Sequence, residues 1–453
     1  MPDKLHRHFQ WVGVGLYLAA LLTVSVGFRS YAMKPLWMAW GIGTVLFFFG
    51  LSYWCFRQWR DDDPKKFLRK VFWWALGIRA VYIGAIIFYY YFETGVSFEY
   101  NAADSWAYHR TACALSDLAR EGRIREVFYN LNTGTLGFSD QGYLLYLTTL
   151  YTCFGKNILG PRLLKALMSA FTCVAVYKIA SRNLGDKTAR LAAVMAVFLP
   201  QFIHYNGTYL KETEMVFLAT LALERFDGLI HTKRHVFWNI LLVVLLTALT
   251  FGFRTVVGMA LIASYLVYLF CCDKTLLGNR AKIVAASATA LLALILMASP
   301  IGWEMTMMLK INVSTAPVQA LYSAPGFLTL PLTNLVEVAN PTQKMMNGDF
   351  FVKNYLAFFA LLAIVIAFRE RQWRSLSLVG TYTLLYALMI AFSFAFKMER
   401  YHLPAMPGLL IMAAFAMNRF RKRDFKWYYA YCALLLVAIV AWNYLKLVSR
   451  GLV

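Results

Sequence analysis

The chain has 453 residues, of which 60% are hydrophobic, 17% aromatic and only 15% charged. That composition excludes a water-soluble fold, which needs far more polar surface to meet solvent. The 45 Lys and Arg against 23 Asp and Glu leave +22, and an excess diluted through apolar sequence follows the positive-inside pattern of membrane proteins rather than marking a nucleic-acid partner.

A helix needs about 20 apolar residues to cross roughly 30 Å of hydrocarbon. Thirteen stretches qualify or nearly do: 9–27, 36–56, 72–92, 158–181, 190–205, 210–224, 236–252, 255–272, 283–299, 354–369, 375–395, 403–419 and 426–447. The expected fold is all-α, a polytopic integral membrane protein with about 13 transmembrane helices. The first stretch follows Lys4 and Arg7 and lacks a small-residue cleavage site, so it reads as a retained anchor.

The apolar run 142–155 (GYLLYLTTLYTCFG) is too short to span and reads as an interfacial or re-entrant helix. With that run left out and the N-terminus cytoplasmic, the basic clusters at 57–70, 178–190, 225–234, 274–282, 369–374 and 419–426 all fall on the cytoplasmic side. The C-terminus then lies outside. The sizeable polar segments, 93–157 and 300–353, are both external, which places any chemistry at the outer face of a bacterial-type cytoplasmic (inner) membrane. The seven cysteines show no CxxC or CxxH spacing, so neither a metal site nor a disulfide framework is indicated.

Four places in the chain hold groups suited to chemistry. In YNAADSWAYHRTACALSDLAREGRIREVF, Tyr108, Ala112, Leu115 and Ala119 share one helical face, which predicts a helix along the membrane surface. Asp104 at its start is either an N-cap or a general base beside Trp106 and Tyr108. In YNGTYLKETEM, Lys211, Glu212 and Glu214 stand where a helix enters lipid. A lysine there is explained by snorkelling more readily than two carboxylates are. Arg254 in TFGFRTVVG and Arg400 in FKMERYHLPAMP fall on the same outer side by this topology, outside every basic cytoplasmic loop. Each is either a headgroup anchor or one arm of a bidentate phosphate clamp. Tyr401 and His402 flank the second arginine, and a lone histidine in such a place is more often structural than basic.

In these pieces the chain resembles the GT-C superfamily of polytopic glycosyltransferases that use polyprenyl-phosphate sugars, specifically the protein mannosyltransferase-like and aminoarabinose transferase-like branch (glycosyltransferase family 39-like). The resemblance is carried, in order, by ADSWAY, by GYLLYLTTLYTCFG leading into NILGPRLLKALMS, by the hairpin VYKIASRNLGDKTARLAAVMAVFLP, by YLKETE and by RYHLPAMP. It implies a catalytic transmembrane domain over residues 72–420, two additional N-terminal helices in 1–71 and a C-terminal transmembrane helix in 421–453. It further implies inverting transfer of a sugar from an undecaprenyl-phosphate-like donor to a lipid A, glycan or protein acceptor at the outer face.

Carried over by position, Asp104 is the loop carboxylate and Glu212 the second acid. Lys211, Arg254 and Arg400 stand where donor-phosphate cations are expected, with Tyr108, Glu214, Tyr401 and His402 around the donor sugar. Asp104–Ser105 stands where the family often has Asp-Glu, which speaks against a protein acceptor. No cofactor is implied: a good leaving group, a base and an arginine clamp suffice, although Asp104, Glu212 and Glu214 have the chemistry of an oxygen-ligand metal site.

Two other classes fit the composition. A transporter or flippase of lipid-linked glycans predicts charges deep in several spans and internal repeats, whereas Arg79 is the main interior charge and no repeat is visible. A lipid-linked glycan ligase or polymerase predicts arginines and a histidine in a large late outer loop, and 300–353 contains neither residue type.

Overall fold

The computed structural model describes residues 2–100, 102–133, 138–232, 236–271, 331–392 and 399–453, with scattered residues between 283 and 302. The ninth predicted span, 283–299, and residues 303–330 of the second outer segment lie largely outside that set. The regular elements among the described residues are helices.

The chain opens with α1 (Pro2–Gly27), α2 (Pro35–Gln58) and α3 (Pro64–Thr94). Local chemistry fixes both ends of α3. The Asp63 carboxylate accepts from the Lys65 N–H, Pro64 occupies the first helical position, and Gly95 closes the helix at φ 73°. At 31 residues α3 runs about 46 Å, longer than the hydrocarbon it crosses. Next come three helices that lie beside one another before the chain crosses again: α4 (Ala103–Arg120), α5 (Ile124–Thr133) and α6 (Phe138–Phe154). Tyr108, Ala112 and Leu115 of α4 are buried along one face, as their spacing predicts, and Ser105 and Ser116 join them.

The bundle continues with α7 (Leu159–Leu184), α8 (Asp186–Phe198), α9 (Pro200–Gly207), α10 (Glu212–His231), α11 (Val236–Phe253) and α12 (Thr255–Cys271). The predicted fifth span is two helices, because Pro200 has no N–H to continue α8 and pushes Leu199 into extended backbone (φ −60°, ψ 116°). The break leaves carbonyls at the end of α8 unpaired. Arg79, fully buried in α3, takes two of them, donating to Ala196 O and Val197 O at 3.1 Å each and to Ser169 Oγ at 2.7 Å. The interior charge singled out in the sequence is thus a helix cap supplied from a neighbouring helix.

After the undescribed stretch come α13 (Pro341–Met345), α14 (Asn347–Arg369), α15 (Ser377–Phe392), a 3₁₀ segment Glu399–Ala405, α16 (Met406–Asn418) and α17 (Phe425–Val448). Among the described residues, seven helices (α1, α2, α3, α7, α11, α14 and α17, the last counted from Lys422) are long and apolar enough to cross a membrane, and α12 is a shorter apolar helix. The chain is therefore a multi-pass helical membrane protein; of the other predicted spans, 190–205, 210–224, 255–272, 375–395 and 403–419 fall on helices or helical segments outside this set, and 283–299 lies outside the described residues.

Residues at the ends of several helices meet across the fold. Arg190 donates to Trp59 O and Asp62 O, Arg369 pairs with Asp424 at 2.9 Å, and Asn418 reaches Thr188. At the other end, the Tyr31 hydroxyl donates to Leu452 O.

Candidate active site

Most of the predicted residues converge at the end of the bundle where α3 finishes. Glycine pairing sets part of the frame. A Cβ on Gly142 of α6 would stand 2.7 Å from the backbone of Gly252 of α11, so these two helices cross in direct backbone contact. The crossing brings Ser139 and Asp140 to one side of Lys211 and Phe253 to the other. Lys211, just ahead of α10, donates to Ser139 O and Phe253 O at 2.6 Å each and to the Asp140 carboxylate. Tyr108 of α4 donates to Asp140 from a third direction, at 2.7 Å.

Burial alone would raise Asp140, but the Lys211 charge and hydrogen bond, the Tyr108 hydroxyl and Arg254 together hold it below the usual carboxylate range. Burial, then Asp140, pushes the Tyr108 hydroxyl well up. Gly142→Val is expected to force α6 off α11, lower the melting temperature, and cut activity at least tenfold, because side-chain bulk at a backbone contact costs about 1–3 kcal/mol and displaces Asp140. Thermal unfolding and turnover measured on one preparation check both effects.

Above this knot lie the two arginines. Asp104 does not cap α4: Ala102 holds the cap position without a side-chain bond, and Asp104 sits in the first turn. Its carboxylate accepts from Arg400 Nη1 at 2.7 Å. The Nε of the same guanidinium lies 4.0 Å from Glu212 Oε1, and Nη2 donates to Tyr401 Oη at 3.3 Å. Both carboxylates are in first turns, where helix N-termini favour negative charge. Burial works against the charge on Arg400, but Glu212, Tyr401 and Asp104 outweigh it and raise its pKa above the ordinary arginine value.

The Arg254 guanidinium stacks 4.1 Å from the Tyr401 ring centre, with Arg400 at 5.1 Å from the same ring. Among the described residues no carboxylate lies within ion-pair distance of Arg254. Asp104, Glu212, Lys211, Arg254, Arg400, Tyr108 and Tyr401 therefore share one site.

Two predicted members stand apart. Glu214 turns into the bundle, 3.5 Å from Lys165 of α7. His402 is buried with its Nδ1 3.5 Å from Lys353 Nζ of α14. The residues that sequence reasoning missed are those that hold the site's frame. Glu99 accepts the Tyr209 N–H on both oxygens at 3.1 Å and is hydrogen-bonded to Ser105, while Arg162 lies 3.8 Å away. This ties the start of α4, and with it Asp104, to the segment leading into Glu212. An arginine and a lysine inside the apolar run NILGPRLLKALMS were the available signal for Arg162 and Lys165. Among the described residues no group of three or more His, Cys, Asp or Glu is arranged to hold a metal ion.

Apolar helices with a cluster of cations and carboxylates at one end of the bundle define a polytopic membrane protein with a charged site. Residues 143–303, which include α7 to α12, Lys211, Glu212 and Arg254, match the family described as dolichyl-phosphate-mannose-protein mannosyltransferase. That match supports a membrane glycosyltransferase of the GT-C type, the class the motifs resemble. An uncharacterized protein of Aquifex aeolicus (strain VF5) is 28% identical over 177 residues, which is 38% of this chain and 34% of that protein. The chain thus covers about a third of the length of that relative.

Proposed function

We propose that this chain transfers a sugar from a polyprenyl-phosphate donor to an acceptor at the outer face of the cytoplasmic membrane, with inversion at the anomeric carbon and without a divalent metal. The observation that carries the reading is the Asp104–Arg400–Glu212 cluster with Arg254 against the ring of Tyr401. One guanidinium reaches both carboxylates, so a base and a phosphate-binding cation lie within a single side chain's width.

In this scheme the acceptor hydroxyl loses its proton to Asp104 as its oxygen bonds to the anomeric carbon. The bond from that carbon to the phosphate oxygen breaks, and the electron pair leaves with polyprenyl phosphate. Arg254 and Arg400 neutralise the charge growing there, a contribution of about 10²–10³ in rate for one well-placed donor. Glu212 orients Arg400 between the two jobs, and Lys211, bound to Asp140, holds the floor of the site rather than meeting substrate directly.

The test uses purified protein in lipid with a panel of polyprenyl-phosphate sugars, following release of polyprenyl phosphate. Consumption of at least one donor is expected. Failure to consume any of them sinks the reading.

A further inference from the structure

A cavity of about 1010 Å³ has neither Arg254 nor Arg400 in its lining. Its walls are α2, α3, α9, the end of α13 and the first turn of α14. Trp40, Trp73 and Trp74 line it and are themselves 40–61% exposed, so the cavity opens sideways where the chain faces hydrocarbon. It is at the upper end of the size range of small-molecule sites.

Deep in it the lining turns polar. Tyr82 and His204 share a hydrogen bond of 3.1 Å, and beside them stands Asp349, 4% exposed and without a cationic partner among the described residues. A buried carboxyl with no cation is costly unless it meets a hydrogen-bond donor. No Lys or Arg lines the cavity. A lipid phosphate therefore finds nothing to neutralise it here, whereas a hydroxyl or amide at the neck of a hydrocarbon chain can donate to Asp349 and reach His204.

Position links the cavity to the candidate active site. His204 lies on α9, and the chain from it to Glu212 spans at most about 22 Å. We propose that this cavity holds the hydrocarbon of a lipid acceptor, distinct from the polyprenyl donor, with its donor-bearing neck at Asp349, His204 and Tyr82. The inference rests on the glycosyl-transfer reading above and names the acceptor as a lipid.

Gly43 and Gly77 make the test clean. Both line the cavity, and a Cβ on either meets nothing within 4 Å. Phenylalanine at these positions fills the cavity from helix interiors that tolerate the exchange.

The probe is a photoactivatable diacylglycerol in phosphatidylcholine and phosphatidylglycerol vesicles holding the full chain. Labelling of α2 and α3 peptides is expected, unmoved by excess undecaprenyl phosphate. Labelling should fall at least tenfold in Gly43→Phe/Gly77→Phe and severalfold in Asp349→Ala. Melting temperatures near that of the wild type show that the variants fold. In turnover, the filled variant should keep donor hydrolysis in the absence of acceptor and lose transfer to lipid.

Displacement of the label by undecaprenyl phosphate, or parallel loss of donor hydrolysis, would assign the cavity to the donor and overturn the proposal. Labelling indifferent to filling would mean bulk lipid only and overturn it as well. A wild type that consumes no donor fails the transfer reading instead, and the labelling arm reads separately from that outcome.

Discussion

Asp104→Asn is expected to slow sugar transfer by about 10²–10⁴-fold, the range that a positioned general base contributes. The exchange keeps the side chain's shape and removes its charge and its basicity. The fold should hold, because the start of α4 is tied down independently by Ser105 and Glu99, and Arg400 retains Glu212 and Tyr401. The melting temperature should move little, since a half-exposed pair of this kind is worth about 0–1 kcal/mol. The decisive comparison is of kcat and kcat/KM, with both expected to fall together, because the base acts as the acceptor bond forms. A variant that turns over at the wild-type rate would remove Asp104 from the chemistry.

Arg400→Ala is expected to cost about 10²–10³ in kcat, the loss that follows removal of one group aimed at developing charge. Arg400→Lys should recover only part of it. A lysine keeps the charge, but one ammonium cannot face Asp104, Glu212 and the Tyr401 hydroxyl in the fixed plane of a guanidinium. The split between constants matters more than the size of either loss. Charge on the departing phosphate grows only as the glycosidic bond breaks, so kcat should carry most of the effect. A pure rise in KM would make Arg400 a binding residue that senses ground-state donor alone.

Much of this site could be read from the sequence because membrane proteins place charge reluctantly. Asp104, Glu212, Arg254 and Arg400 stood out at the ends of apolar runs, and the structure gathers them around Tyr401. Asp140 was not legible, since its role depends on α6 crossing α11 at Gly142 and Gly252, a contact between residues 110 apart in the chain. Glu99 and Arg162 were hidden for a similar reason: each is plain in sequence, and only their packing against Tyr209 shows what they hold.

Of the two readings of Asp104, the structure shows no cap: in the first turn of α4 its carboxylate takes a distant arginine rather than its own backbone. The fifth predicted stretch is not one continuous helix, because Pro200 breaks it and Arg79 from another helix takes the carbonyls left free. Glu214 and His402 were judged by their neighbours in sequence, whereas the turn of a helix points each toward a different partner from the residue beside it.

The hydrogen bond between Arg400 and Asp104 joins groups 296 positions apart. A ribosome delivering this chain into a membrane releases the carboxylate first and the guanidinium only after those 296 further residues. Throughout that interval the nascent protein holds half of the constellation and lacks the other half. Chains terminated before residue 400 would carry Asp104 and Glu212 without the guanidinium that joins them, so the site is complete only once the segment around Arg400 has docked against α4 and α10.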